Sequence, residues 1–157
     1  MKRTFQIISQ DIKNRVISEI NDLTLEPLHE VVIREKKKSR TLAQNSLYWL
    51  WLTVIAAERG ESKEDVHDRY KRKVLIGIFE RDNKEYAEMI ESIKNVHTSG
   101  MKMEAKTLFD QIVKLTSTTQ ANVKQFAEYL TDIEHDAIDM QMSLPHPEDR
   151  YHEAMGL

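Results

Sequence analysis

The segment Leu47–Ala57 constrains the fold most, because the helix that it predicts is apolar on nearly every side. Such a helix must be buried on all its faces, either by its own chain or by a partner chain. A chain of 157 residues offers limited cover for it, so we expect a homodimer. The helix begins at Thr41, because Thr41 and Gln44 have the spacing of a capping box, in which each side chain accepts from the other residue's backbone amide.

Two segments near the amino terminus are rich in β-forming residues, and a short helix lies between them. The segments Arg3–Ser9 and Leu28–Lys36 each predict a strand. Ser9 has the character of a helix N-cap, and apolar residues follow it at helical spacing: Ile12, Val16, Ile17 and Ile20. We therefore predict an α+β fold that is mostly helical, with a small N-terminal strand–helix–strand unit.

The remainder of the chain predicts helices. Gly60 ends the apolar helix, and Ser62 caps a helix that runs to Phe79. Further amphipathic patterns cover residues 82–95 and 103–115. After a second capping box at Ser117 and Gln120, the clearest pattern runs from Val123 to Met140. Residues 144–157 contain two prolines and mixed charges and predict a loosely ordered C-terminal tail, which leaves residues 1–143 as a single domain.

The composition of the chain indicates the compartment in which we expect the protein. The chain has no cysteine, which excludes disulfides and thiolate metal sites. No run of residues approaches the roughly 18 apolar residues of a membrane span, and no secretory signal is visible. We therefore expect a cytoplasmic protein without a membrane partner.

Positive charge is concentrated before the apolar helix. The whole chain carries a net charge of −3, yet Arg34–Arg40 holds five cations and one anion. A concentrated cationic segment attracts a polyanion, and nucleic acid is the commonest one in a cell. The alternative is a solvated basic turn before a core helix. Residues 69–73 form a second cluster of four cations around the apolar stripe of the next helix.

Several residues at the start of the apolar helix could complete such a site. Gln44 and Asn45 could contact bases or phosphates from a helix N-terminus, although Gln44 is also explained by the capping box. The rings of Tyr48, Trp49 and Trp51 could stack on unpaired bases, although their helical position also predicts core or dimer packing.

Three other functions remain open from the residues alone. The helices Thr41–Arg59 and Ser62–Phe79 resemble a helix-turn-helix, which would place Lys63, His67, Arg69 and Lys73 in a major groove. A metal-dependent, structure-specific nuclease would need carboxylates and imidazoles such as His135, Asp136, Asp139, His146, Asp149 and His152. A protein–protein adaptor would bind no DNA. The chain has no phosphate-binding loop, GxGxxG, HExxH or GxSxG motif, so we expect no catalysis and no cofactor.

Two segments resemble the NinB family of phage recombination proteins. The first runs from Lys38 to Trp49 and contains Arg-x-Leu-x-Gln-Asn followed by aromatic residues. The second runs from Ser117 to Leu130 and joins a Ser/Thr-rich turn to a helix that contains Phe126-Ala127-Glu128. The similarity spans most of residues 3–143.

The resemblance implies a mixed α/β homodimer in the host cell of a phage that binds single-stranded DNA without a cofactor. It also implies a mediator that contacts the host single-strand-binding protein and helps to load a recombinase. The candidate DNA-binding residues are then Lys36, Lys37, Lys38 and Arg40 for phosphates, Gln44 and Asn45 at the helix terminus, and Arg69, Lys71, Arg72 and Lys73 as second-tier contacts.

Overall fold

A computed structural model describes residues 3, 5, 7–33, 40–148 and 150–157. The chain divides into two compact units, Met1–Lys36 and Lys37–Leu157. The helices are α1 (Gln10–Asn21), α2 (Leu42–Arg59), α3 (Lys63–Tyr70), α4 (Ile76–Asp82), α5 (Lys84–Thr98), α6 (Lys102–Leu115), α7 (Val123–Asp139) and α8 (Tyr151–Met155). A π-helical turn, Lys71–Leu75, joins α3 to α4, and a 3₁₀ turn, Thr118–Gln120, precedes α7.

The described residues contain no β-strand, so the predicted α+β class is wrong and the fold is all-α. The error lies in the first unit, where both predicted strands flank α1. β-forming side chains favour a strand only when the backbone has a neighbouring strand to pair with. In the parts of Arg3–Ser9 and Leu28–Lys36 that the structure describes, the backbones exchange no hydrogen bonds with one another.

The described part of the first unit contains one helix, α1, and exposed apolar side chains. Ser9 caps α1 as predicted, because its hydroxyl accepts from the Ile12 amide. No residue of α1 is buried, and Ile17 and Ile20 are 47% and 40% exposed. A helix of 12 residues is marginal in water by itself, so the stability of α1 depends on packing.

In the second unit, α2 is the centre of the core. Five of its hydrophobic side chains are fully buried: Leu47, Tyr48, Trp51, Leu52 and Ile55. They are covered by α3, α7 and α8 of the same chain. The chain therefore buries its most apolar helix by itself, and α2 supplies no argument for a second subunit.

The termini of α2 and of α3 follow the sequence signals. The capping box of Thr41 and Gln44 is present in both directions, and Gly60 ends α2 in the left-handed conformation at φ 66°. Ser62 caps α3 through the Asp65 amide. These predictions are confirmed because capping depends on a few neighbouring residues and not on the tertiary fold.

The segment after residue 143, for which the sequence predicts a loose tail, packs against α2 and α7. The side chains of Leu144 and Ala154 are buried. The indole Nε1 of Trp51 donates to the Pro145 carbonyl at 2.7 Å. Leu144 and Ala154 thereby contribute to the core of the second unit.

Candidate nucleic-acid interface

The three lysines of the first basic segment, Lys36, Lys37 and Lys38, lie outside the described residues. Arg40 is the first cation of that segment that the structure describes, and it is half-buried. Its Nη1 donates to the Thr118 hydroxyl, and its guanidinium lies 5.0 Å from the ring centroid of Phe126. Burial lowers the pKa of the Arg40 side chain below its ordinary value. Arg40 therefore joins the start of α2 to the 3₁₀ turn Thr118–Gln120 and to α7.

Gln44 is fully buried and uses its whole amide group. Its Oε1 accepts from the Thr41 backbone amide at 3.0 Å. Its Nε2 donates to the carbonyls of Val123 at 2.8 Å and Ala154 at 3.0 Å. In this arrangement the side chain has no polar atom left for a ligand, so Gln44 joins α2, α7 and α8.

Asn45 differs from Gln44 both in burial and in hydrogen bonding. Its side chain is half-buried, and its amide oxygen Oδ1 is buried without a hydrogen-bond partner among the described residues. Buried polar atoms are nearly always hydrogen-bonded, so an unpaired acceptor requires an explanation. A donor group on a ligand would satisfy it.

Trp49 lies four residues after Asn45, on the same face of α2. Its ring is half-buried and stacks on His67 of α3, with centroids 5.3 Å apart and ring planes 18° from parallel. Trp51 is fully buried, which assigns it to the core. Of the two tryptophans, only Trp49 has accessible surface for stacking on a ligand.

A chain of hydrogen bonds lies behind Trp49. The Tyr48 hydroxyl is 2.6 Å from His67 Nδ1 and 3.2 Å from the Tyr129 hydroxyl. Burial raises the pKa of Tyr48 and of Tyr129 and lowers the pKa of His67, which the Lys71 charge lowers further. All three groups are therefore held in their neutral forms at neutral pH, and they fix the ring on which Trp49 stacks.

Sequence reasoning gave no site role to Thr118, Phe126 or Tyr129. All three lie in the second family-like segment, Ser117–Leu130, and the structure places them against Arg40 or Tyr48 of the first. The two segments are far apart in sequence, so periodicity and spacing carried no signal for this contact.

The second basic cluster does not form one surface. Lys71 is 5% exposed, and its Nζ donates to the Val113 carbonyl at 2.8 Å and lies 2.9 Å from Asp68. The other three cations each pair with a carboxylate in a different part of the unit: Arg69 with Glu61, Arg72 with Asp110, and Lys73 with Asp136. These partners neutralise the cluster and direct its side chains apart.

The residues that the alternative nuclease would need for a metal site are also separated. His135, Asp136 and Asp139 lie on α7, whereas His146 pairs with Glu134 at 2.5 Å. Asp149 is outside the described residues. Within the described part of the chain, no three His, Asp or Glu side chains converge in a way that could hold a metal ion.

None of the described helices is both long and apolar enough to span a bilayer.

These features define an all-α protein with a candidate nucleic-acid interface at the amino end of a buried helix. Comparison with known families matches the chain, over residues 1–134, to the family described as NinB protein. The chain therefore belongs to the NinB family, which is a family of phage recombination proteins. The same comparisons found no similar curated protein and no similar solved structure.

Proposed function

We propose that this protein binds single-stranded DNA as a non-catalytic accessory of phage recombination. The observation that carries the proposal is the pair Asn45 and Trp49 on one face of α2. Asn45 offers a buried acceptor without a partner, and Trp49 offers a half-buried aromatic ring. An unpaired base has both a π-face for stacking and amino groups that can donate to an amide oxygen.

Phosphate binding is assigned to the residues that directly precede this face in the sequence. Lys36, Lys37 and Lys38 lead into the capped terminus of α2, and lysines neutralise phosphates without reading bases. Arg40 contributes charge from a fixed position against Thr118 and Phe126. The proposal assigns no primary contact to the cations of residues 69–73, because each already has a partner.

We further propose that the protein acts as a homodimer, with the first unit as the interface. Apolar side chains in this unit are largely exposed, including Leu25 at 94% and Leu28 at 98%. Exposed apolar surface of this extent marks an interaction site. A second copy of the chain can supply the same surface in return across a twofold axis.

The role as a mediator is supported by family membership alone. On that basis we propose contacts with the host single-strand-binding protein and with a recombinase that this protein helps to load. Neither partner has a recognisable counterpart in the geometry of the described residues.

The proposal is tested by fluorescence anisotropy with single-stranded, duplex and forked DNA at two salt concentrations, with and without magnesium. We expect salt-sensitive binding that prefers single strands, and no cleavage. A strong preference for one duplex sequence would support a helix-turn-helix regulator instead, and magnesium-dependent cleavage would support a nuclease. Absence of salt-sensitive binding to every DNA would support a protein–protein adaptor.

Base contact is tested separately with an abasic oligonucleotide of equal length and charge. Trp49→Leu should weaken binding to the normal strand by about 1–3 kcal/mol, because one stacking contact is lost. The same change should leave binding to the abasic strand unaltered. Equal weakening for both strands would show that Trp49 supports the fold and does not contact bases.

A further inference from the structure

Residues 144–157, which we call the C-terminal strap and of which the structure describes all but residue 149, bond to both sequence neighbours of Asn45 near the amino end of α2. Ala154 accepts from Gln44 Nε2 through its carbonyl, and Arg150 Nη1 donates to the Ser46 hydroxyl at 2.6 Å. Gln44 and Ser46 are the immediate neighbours of Asn45. The strap therefore contacts the residues directly beside Asn45, to which the proposed nucleic-acid site belongs.

The strap is anchored at both ends. At its start, the Pro145 carbonyl accepts from Trp51, and the ring of His146 stacks on Tyr151 with centroids 4.1 Å apart. His146 and the Tyr151 hydroxyl both bond to Glu134 of α7. Near its end, Ala154 is fully buried. Docking is thus specific, but it rests on few buried side chains.

Two further features of the strap are its negative charge and its position outside the part of the chain that matches the family. It carries three acidic residues and one arginine, a net charge of −2, and a negatively charged segment repels a polyanion that approaches it. It also lies beyond residue 134, where the family match ends, whereas Gln44 lies inside the match. The family match therefore includes the position of Gln44 but not the strap that bonds to it.

We propose that the C-terminal strap is an autoinhibitory segment that single-stranded DNA must displace from the amino end of α2. On release, Gln44 Nε2 and the Ser46 hydroxyl gain free hydrogen-bonding capacity beside Asn45, at a helix N-terminus that favours phosphate. This inference rests on the proposed binding of single-stranded DNA.

The release variant is Ala154→Gln, which places a larger side chain in a fully buried position without changing the net charge. Ala57→Gln, at an exposed position of α2, is the matched control. Release is read by NMR from the indole N–H of Trp51, which loses its bond to Pro145. If the open state of the unmodified protein is populated at about 10% or less, release should tighten binding to single-stranded DNA by about tenfold or more.

Charge competition is tested by the double variant Glu148→Gln with Glu153→Gln, which makes the strap neutral. It should also tighten binding to single-stranded DNA. The control is Glu88→Gln with Glu104→Gln, which changes the charge equally on α5 and α6. Equal effects of the two double variants would count against the strap as a competitor.

Hydrogen exchange on the unmodified protein gives a readout that does not depend on any variant folding. Added single-stranded DNA should accelerate exchange of the strap amides, and unchanged or slower exchange would overturn the proposal. It would also be overturned if Ala154→Gln released the strap and left DNA affinity unchanged or weaker. If no variant bound single-stranded DNA at all, the proposed function itself would fail, which is a separate result.

Discussion

Gln44 holds three segments of the second unit together with one side chain. It closes the cap of α2 and bonds to the backbone at the start of α7 and in α8. Its replacement by alanine would remove one hydrogen bond from the backbone of each of these three segments. Losing such bonds in a buried setting is costly because water cannot replace them.

Gln44→Ala should lower the free energy of unfolding by about 3 kcal/mol, at roughly 1 kcal/mol for each lost bond. The matched control is Gln125→Ala, which removes the corresponding capping-box residue of α7 in a more exposed setting and should cost about 1 kcal/mol. Urea denaturation measures both values. Equal costs would mean that the bonds from Gln44 to Val123 and Ala154 contribute little.

His67 makes the stability of the fold depend on pH. Burial, followed by the charge of Lys71, lowers the pKa of His67 below its ordinary value of 6.5. The unfolded chain therefore takes up a proton at a higher pH than the folded protein does. Stability from His67 is present above about pH 6.5 and is lost as the pH falls through the lowered value.

We therefore expect the unmodified protein to lose stability to urea between pH 7.5 and pH 5. His67→Asn should show a smaller loss over the same range, because asparagine has no proton to gain. His97→Asn, on the exposed end of α5, should retain the full dependence and serves as the control. A pH dependence that is unchanged in His67→Asn would contradict the role assigned to this ring.

The π-helical turn Lys71–Leu75 explains why the second basic cluster is not a surface. It joins α3 to α4 and turns the Lys71 side chain inward, to the carbonyls of Val113 and Thr116 at the end of α6. A cation at the carboxyl end of a helix is favoured by the partial negative charge there. The role of Lys71 is thus to join two helices.

Lys71→Met should cost about 1–3 kcal/mol of stability, because buried carbonyls lose their donor. It should leave the salt dependence of DNA binding unchanged. Lys73→Met, at a half-exposed position paired with Asp136, should cost less. A flattening of the slope of log affinity against log salt by about 0.7 in Lys71→Met, the value for one phosphate, would return this cluster to the DNA site.

The helices could be located from the sequence because their signals are local. Capping residues such as Ser9, Thr41 and Ser62 mark termini by bonding to amides three positions away. The prediction of two strands was wrong because a strand must pair with a second segment, and a β-forming composition does not provide that partner. The cluster at residues 69–73 has the positive charge expected of a DNA-binding surface. The π-helical turn and the partners on α6 and α7, however, leave no pattern in the sequence from which they could be predicted.

The candidate site was only partly visible for the same reason. The motif around Gln44 and Asn45 can be read from the sequence, and so can the capping alternative for Gln44. The sequence does not show that the Gln44 amide is fully hydrogen-bonded whereas the Asn45 oxygen has no partner. That difference depends on the bonds from Gln44 to Val123 and Ala154. Contacts at that separation follow from the packed fold and not from spacing.

The oligomeric state of the whole molecule depends on the first unit. If its apolar surface is covered by a second copy, Ile17→Asp should convert a dimer to a monomer in light scattering. The thermal midpoint of the second unit should hardly change. Ser18→Asp adds the same charge at an exposed polar position of α1 and should remain dimeric. An unmodified protein with the mass of one chain would contradict the proposed dimer directly.

We propose above all that the lysines before α2 bind the phosphates of single-stranded DNA. The most direct test is the slope of log affinity against log salt, which contains about 0.7 for each phosphate that a cation neutralises on a single strand. The triple variant Lys36→Gln, Lys37→Gln and Lys38→Gln should flatten that slope by up to about 2. Lys102→Gln, Lys106→Gln and Lys114→Gln, which remove three exposed charges from α6, should leave it unchanged. An unaltered slope in the first triple variant would contradict the account.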